Sequence, residues 1–299
     1  MRIVSLVPHA TELLFALGLG EEIVGVTHEC DYPEAAREIQ PVTYDVLPAG
    51  LSAAQIDAAV RERSEQGDSI YELDEELVRE LEPDLIVTQA LCHVCAVSVD
   101  EVQALAQSMP GPPRVIALDP TTYGETVGDV RTVAQATDAK DAALDLIART
   151  ARRADVVRLA VRGTPRPRVA ALEWMDPVFV AGHWTPQLIE MAGGEDVLGF
   201  SGEPSRVATW EEVAAAQPEV VIVMPCGYDA ARALVEAEEF ADRLRTLGAD
   251  HVVAVNASAY FSRPGPRLID GLELLAHILH PDRVPQAPAE ALAVELGQS

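Results

Sequence analysis

The sequence contains almost no lysine, and its acidic residues far outnumber its basic ones. Lys140 is the single lysine, and Lys and Arg together number 22 against 48 Asp and Glu, which gives a formal net charge of −26. A chain this acidic does not hold nucleic acid by neutralising phosphates, and anionic membrane surfaces repel it. The composition therefore excludes polyanionic partners.

Long hydrophobic runs are also missing. No stretch approaches the roughly 18 apolar residues of a transmembrane helix, so we expect no direct insertion into a membrane. Residues 1–8 enter a strand-like pattern at once, without the basic segment, apolar core and cleavage site of a signal peptide. As the sequence stands, we expect a cytoplasmic protein, whereas a truncated or misassigned N-terminus would place it outside the cytoplasm.

Short apolar runs alternate with helical patterns along the whole chain. Predicted strands cover residues 3–7, 22–27, 84–88 and 114–118 in the first half, and 168–172, 178–181, 219–224 and 251–256 in the second. Strands separated by helices are typical of α/β proteins with mainly parallel sheets. Because the second half repeats the scheme of the first, the sequence predicts two Rossmann-like α/β lobes with a ligand cleft between them.

The segment 137–163 contains no proline and is predicted to be one long rigid helix joining lobes 1–136 and 164–280. An apolar stripe runs along it at helical spacing, comprising Leu144, Ile147, Ala151, Ala154, Val157 and Val161. A further helix is predicted over residues 52–65. The tail 281–299 contains three prolines and is predicted to be loosely ordered.

The four cysteines are too few for a disulfide scaffold, but each lies in a loop that follows a predicted strand. The Cys92-x-x-Cys95 pair suits a metal held from one loop, with Cys30 as a third ligand and Cys226 or His183 from the second lobe. Such a site fits zinc, copper(I), an iron–sulfur cluster or a cobalt centre. A redox dithiol fits the same spacing, and thiols without a function remain an alternative.

Ligands of open α/β sheets bind beyond the carboxyl ends of the strands. Aromatic and polar residues predicted in such loops, or in the insertion 44–73, are candidates to wall a large apolar ligand, although each also suits ordinary packing. These candidates are His9, Tyr44, Trp174, His183, Trp184, Tyr228, Tyr260 and Arg263. A nucleophile elbow, a Walker loop and a dinucleotide-binding glycine motif are absent from the sequence, so we do not expect an enzyme.

Several motifs together resemble class III solute-binding proteins, which deliver cobalamin, haem or iron–siderophores to ABC importers, and the cobalamin-binding members most of all. The resemblance extends from Arg2 to about Leu279. Its most specific parts are Ser5-Leu6-Val7-Pro8, Ala10-Thr11-Glu12-Leu13, Val24-Gly25-Val26, Asp31-Tyr32-Pro33, Glu82-Pro83-Asp84-Leu85-Ile86, the segment 191–198 and Arg263-Pro264-Gly265-Pro266-Arg267.

The resemblance implies a corrinoid (cobalamin) or related metal chelate as ligand, an ABC permease as partner and a monomeric state. It implies permease docking through one acidic residue on each lobe, at Asp100 (or Glu101) and Glu211. Two positions that hold cleft tryptophans in the family match Gln89 and Ser205 here, which makes Gln89 a further ligand-binding candidate. The chain departs from the family in its cysteines, in the 52–65 segment and in its N-terminus. An intracellular metalloprotein or thiol-dependent enzyme with a cysteine-bound zinc or iron–sulfur cluster is therefore the alternative function.

Overall fold

The computed structural model describes residues 1–48, 50–51, 53–66, 69–90, 97–287 and 289–296. The chain forms two compact units. Unit 1 comprises Met1–Pro120 and Thr126–Ile147, and unit 2 comprises Thr121–Glu125 and Ala148–Ser299. Both units combine helices with parallel strands, which confirms the predicted α/β class.

The first half of the chain forms a parallel sheet and a separate hairpin. Its strands are β1 (Ile3–Ser5), β2 (Ile23–Val26), β3 (Thr43–Asp45), β4 (Tyr71–Leu73), β5 (Leu85–Gln89) and β6 (Arg114–Leu118), and its helices are α1 (Pro8–Ala16), α2 (Ala53–Gln66), α3 (Glu75–Glu80), α4 (Val99–Ser108) and α5 (Tyr123–Thr137). The parallel sheet has the order β2-β1-β5-β6. Strands β3 and β4 pair antiparallel at the two ends of the insertion that contains α2.

Alternation along the strands explains why the unit 1 sheet is covered on both faces. Ile3 and Val87 pack into one apolar cluster with α1 and α5, whereas Val4 and Ile86 pack into another with α3 and α4. Neighbouring residues of a strand point to opposite faces. The continuous apolar runs of β1 and β5 are therefore the pattern of strands buried on both sides.

The second half forms a mixed sheet. Its strands are β7 (Arg168–Met175), β8 (Val178–Val180), β9 (Glu195–Asp196), β10 (Arg206–Ala208), β11 (Val220–Val223), β12 (His251–Val255) and β13 (Ala291–Ala293), and its helices are α6 (Lys140–Ala160), α7 (Thr185–Met191), α8 (Trp210–Ala215), α9 (Ala230–Glu239), α10 (Ala241–Thr246), α11 (Ala257–Tyr260) and α12 (Leu268–Leu279). The sheet order is β10-β8-β7-β11-β12-β13, with β9 beside β7. Strands β7, β11 and β12 are parallel, so their carboxyl ends share one edge.

The predicted linking segment 137–163 contains α6, and the boundary between the units lies within this helix, between Ile147 and Ala148. In the part of α6 that belongs to unit 2, Arg153 forms ion pairs with Asp270 and Glu273 of α12. The bidentate contact to Glu273 has distances of 2.8 and 2.7 Å. This half of α6 is therefore anchored within unit 2 by charge-assisted hydrogen bonds.

The tail differs from its prediction. Residues 281–299 were expected to be loosely ordered, but Ala291–Ala293 form β13, antiparallel to β12. The N–H of Val294 donates to the carbonyl of Val252 at 2.9 Å. Val294 is buried in the apolar cluster of unit 2, and Leu292 packs against it. These apolar side chains order the segment because they cover the edge of the sheet.

Candidate functional site

A chain of hydroxyl groups lies at the carboxyl edge of the unit 1 sheet and ends on a cysteine. The Thr11 hydroxyl donates to Ser5 Oγ at 2.8 Å, and Ser5 Oγ in turn donates to the carbonyl of Val7. The Sγ of buried Cys30 is 3.0 Å from Thr11 Oγ1. The Thr11 hydroxyl and the Cys30 thiol are therefore within hydrogen-bond distance of each other.

A second group of contacts at this edge surrounds His28, the second residue after β2. Its Nδ1 is 2.8 Å from Thr43 Oγ1, and its ring packs edge-on against Tyr71 with 4.9 Å between centroids. The Tyr71 hydroxyl donates to Glu29 at 2.7 Å, and the Thr43 hydroxyl donates to Thr27 at 2.9 Å. The imidazole of His28 is exposed, although its orientation is fixed on two sides.

The other unit 1 candidates differ in exposure. His9, in the first turn of α1, and Gln89, the last residue of β5, are buried. Tyr44 is exposed on β3 and donates to Glu72 at 2.6 Å, and this hydrogen bond to a carboxylate raises the pKa of the Tyr44 phenol. Of these three, Tyr44 alone presents a large surface to solvent. Ligand contact remains a prediction for each.

An aromatic cluster lies at the carboxyl edge of the unit 2 sheet. Trp174 near the end of β7 and Tyr228 after β11 contact edge to face at 5.7 Å between centroids. The guanidinium of Arg232 lies 3.7 Å above the Tyr228 ring. Trp174 is half-buried, and its indole N–H has no acceptor in the part of the chain that the structure describes. The Trp174–Tyr228 cluster thus combines an apolar surface with a guanidinium group and an indole N–H donor.

Glu173 adds a titratable group beside this cluster. Burial raises the pKa of the Glu173 carboxyl to about 7, and a hydrogen bond with the Ser205 side chain opposes part of the shift. Ser205 Oγ also accepts the backbone N–H of Gly182 at 3.1 Å. The Glu173 carbonyl accepts the N–H of exposed Cys226 at 3.2 Å. Glu173 therefore changes charge near neutral pH at an edge where ligands bind in this class of sheet.

The loop after β8 departs from the predicted geometry. Because β8 is antiparallel to β7, its carboxyl end points away from the edge that β7, β11 and β12 share. His183 has a left-handed φ of +52° and is held by bonds of its N–H and C=O to Glu203 and Gly202. Trp184 is buried and donates its indole N–H to the Phe261 carbonyl at 2.7 Å. These contacts give Trp184 a packing role within unit 2.

Tyr260 and Arg263 follow β12, at the carboxyl edge that the parallel strands of unit 2 share. Both side chains are half-buried. The Arg267 guanidinium lies 5.9 Å from the centroid of the Tyr260 ring. The segment after β12 thus supplies an aromatic ring and cations to the same edge as the Trp174–Tyr228 cluster.

The described residues give the predicted metal centre no support. No group of three or more His, Cys, Asp or Glu side chains within them could hold a metal ion. Cys30 belongs to unit 1 and contacts the Thr11 hydroxyl, and Cys226 belongs to unit 2. Cys92 and Cys95 lie outside the described residues. The zinc or iron–sulfur alternative therefore has no support within the described residues.

The two proposed docking acids occupy equivalent local positions. Asp100 lies in the first turn of α4 and Glu211 in the first turn of α8, and both are exposed. Thr209 caps α8 by accepting the N–H of Glu212 at 3.1 Å. Carboxylates at the first turn of a helix lie near the positive end of its dipole, and both of these side chains are accessible to solvent. Among the described helices, none has the length and apolar character needed to cross a membrane.

Comparison with known proteins identifies a family. The model of the periplasmic binding protein family matches residues 3–258. A vitamin B12-binding protein of Vibrio vulnificus is 24% identical over 275 residues, covering 91% of this chain and 87% of the relative.

Solved structures show the same fold. The periplasmic vitamin B12 binding protein BtuF of Vibrio cholerae matches with a TM-score of 0.67 at 23% identity, covering 93% of this chain and 96% of that protein. The periplasmic haem-binding protein RhuT from Roseiflexus sp. RS-1 matches with a TM-score of 0.69 at 24% identity, covering 95% and 98%. All three proteins are named for binding a solute rather than for catalysis, in agreement with the absence of catalytic motifs.

Sequence reasoning missed three residues that the structure makes prominent, His28, Tyr71 and Glu173. His28 directly follows a predicted strand, so the rule that selected Cys30 would have found it as well. Tyr71 is brought next to His28 by the pairing of β3 with β4, which no local sequence pattern predicts. Glu173 is distinguished by its burial, which depends on the mixed sheet of unit 2.

Proposed function

The chain belongs to the periplasmic binding protein family, and on that premise we propose that it binds a metal chelate, a corrinoid such as cobalamin or a haem, for an ABC-type uptake system. The main support for this ligand class is that the similar proteins are named for binding vitamin B12 or haem. The aromatic and cationic groups at the carboxyl edge of the unit 2 sheet suit such a ligand and support the proposal.

The chemistry of the unit 2 edge suits a corrin or porphyrin ring. The Trp174–Tyr228 cluster offers an apolar wall, and the cations Arg232 and Arg263 suit the amide or carboxylate groups at the rim of such a ring. A flat macrocycle with a polar rim requires both kinds of surface. The described residues provide no cluster for a bare ion, which favours a ligand that carries its own metal-binding ring.

Delivery would proceed through Asp100 and Glu211. Each unit contributes one exposed carboxylate from the first turn of a short helix, and arginines of a permease are the complementary charges. The binding protein would then be recognised through both units at once. This proposal rests on the family resemblance, with the exposure of both side chains as its structural support.

Isothermal titration with cyanocobalamin, ferric haem and zinc chloride, each in separate runs, tests the ligand class. We expect saturable one-to-one binding of at least one chelate, with a dissociation constant in the micromolar range or below, and no comparable binding of zinc. Binding of zinc alone by protein with an intact circular dichroism spectrum would contradict the proposal and favour the cysteine-based alternative. The absence of binding to either chelate would also contradict it.

A further inference from the structure

The hydrogen bonds of His28 indicate which tautomer its neutral ring adopts. Thr43 Oγ1 carries one hydrogen, which it donates to Thr27 Oγ1 at 2.9 Å. The same oxygen accepts the backbone N–H of His28 at 3.1 Å and lies 2.8 Å from His28 Nδ1. Since the Thr43 hydrogen is already used, Nδ1 must supply the hydrogen of the third contact. In the neutral ring, Nε2 then carries a lone pair.

The ring is also held in place before any ligand arrives. Tyr71 packs edge-on against the imidazole at an interplanar angle of 71°, and the Tyr71 hydroxyl is fixed by its bond to Glu29. Thr43 and Thr27 are buried, so the hydroxyls that orient Nδ1 are shielded from water. A histidine whose Nδ1–H is anchored on oxygen while Nε2 is directed elsewhere has the arrangement of a metal-binding histidine.

One imidazole cannot retain a bare metal ion, and no described cluster of His, Cys, Asp or Glu supplies further ligands. A single nitrogen can, however, complete the coordination of a metal whose equatorial positions are filled by a macrocycle. His28 follows β2 at the carboxyl edge of the parallel sheet, where ligands of such sheets bind. The geometry therefore selects a metal chelate with an exchangeable axial position.

We propose that His28 is an axial ligand to the metal of the bound chelate, and this rests on the function proposed above. The Nε2 lone pair forms a bond to the metal, the axial water leaves to solvent, and the oxidation state of the metal does not change. Thr43 acts as a positioning residue because it holds the Nδ1 hydrogen. The chain would accordingly prefer chelates whose axial site is open or occupied by water.

Aquocobalamin and cyanocobalamin provide the test, because they differ in the exchangeable axial group, water against cyanide. We expect aquocobalamin to bind at least about 10-fold more tightly and its visible spectrum to shift as nitrogen replaces water. In His28→Ala the spectral shift should vanish and the affinity ratio of the two corrinoids should fall towards one. His251→Ala removes another exposed histidine, at the start of β12, and should retain both the shift and the ratio.

Variants of Thr43 separate positioning from folding. Thr43→Val removes the acceptor of the Nδ1 hydrogen and should reduce the preference for aquocobalamin, whereas Thr43→Ser should restore it. If cobalamins do not bind but ferric haem does, loss of the nitrogen-ligated Soret spectrum in His28→Ala supports the same assignment. Equal affinity for both corrinoids with no spectral shift overturns axial ligation and leaves the proposed function intact. Failure of all three chelates to bind overturns both.

Discussion

Trp174 is the side chain on which the aromatic wall depends most. It is half-buried at the carboxyl edge of unit 2 and contacts Tyr228. We expect Trp174→Ala to weaken binding of the preferred chelate about 10-fold, because aromatic anchors of binding sites contribute roughly 1–2 kcal/mol or more. Trp210, also half-buried but stacked on Phe240, gives the matched control Trp210→Ala. Titration calorimetry that found equal losses in both variants would contradict a binding role for Trp174.

Glu173 couples stability to pH. Its pKa is raised by burial to about 7, so the folded protein holds a proton that the unfolded chain releases near pH 4. The contribution of Glu173 to the free energy of unfolding should therefore be largest below about pH 4. It should fall as the pH rises from about 4 to 7. At about 1.4 kcal/mol for each pKa unit, the loss is on the order of 3 kcal/mol.

Glu173→Gln removes this titration while keeping a group that can bond to Ser205. We expect the variant to gain stability relative to the parent between pH 5 and pH 8, measured as the difference in urea midpoints. Glu203→Gln changes an exposed carboxylate and should give no such difference. A parallel pH dependence in parent and Glu173→Gln would show that Glu173 ionises normally.

Among the elements, α9 carries Arg232 to the Trp174–Tyr228 cluster. Asp229 begins this helix by accepting the N–H of Arg232 at 2.8 Å. Asp229→Ala should lower the free energy of unfolding by about 1 kcal/mol, because an N-terminal donor loses its acceptor. Asp229→Asn keeps an acceptor and should retain most of the stability. Chemical denaturation that ranks the two variants equally would contradict the capping role.

Element positions were predictable to the extent that they depend on local pattern. The strands of the parallel sheets and the helix α2 follow from apolar runs and spacing. The buried face of α6 was predicted less accurately, because Leu144 is 66% exposed whereas Ala143 and Leu146 are buried. An apolar spacing permits more than one helical face, and the packing partners decide which face is covered.

The remaining elements could not be predicted from the sequence, because they depend on pairing between segments that are distant along the chain. Strand β13 and the β3–β4 hairpin are short and acquire their order from partners far along the chain. The orientation of β8, which moves the His183 loop from its predicted edge, is likewise set by the hairpin with β7. For the same reason the sequence indicated that His183 and Trp184 follow a strand, but not the edge to which that strand leads.

At the scale of the whole molecule, the net charge of −26 is the dominant electrostatic feature. Self-repulsion destabilises the compact state and is screened by salt, with a Debye length of about 30 Å at 0.01 M and about 10 Å at 0.1 M. We expect the melting temperature to rise as sodium chloride increases from about 0.01 to 0.5 M. Calorimetric scans showing a constant or falling melting temperature would mean that local ion pairs outweigh the net repulsion.

Asp100 and Glu211 are the two acids that we propose for permease docking. The double variant Asp100→Arg/Glu211→Arg should reduce chelate uptake by cells several-fold while leaving chelate binding in solution intact. Glu21→Arg/Glu238→Arg changes the net charge equally at two other exposed positions and should support normal uptake. Equal uptake by the two double variants would remove Asp100 and Glu211 from the docking surface.

Equilibrium dialysis tests directly whether this chain binds a metal chelate, as we propose. The purified protein is dialysed in parallel against cyanocobalamin and against ferric haem, and the ligand on both sides of the membrane is measured by absorbance. We expect at least one chelate to accumulate with the protein to a plateau of one molecule per chain. Equal concentrations of each chelate on both sides, with folded protein throughout, would contradict it.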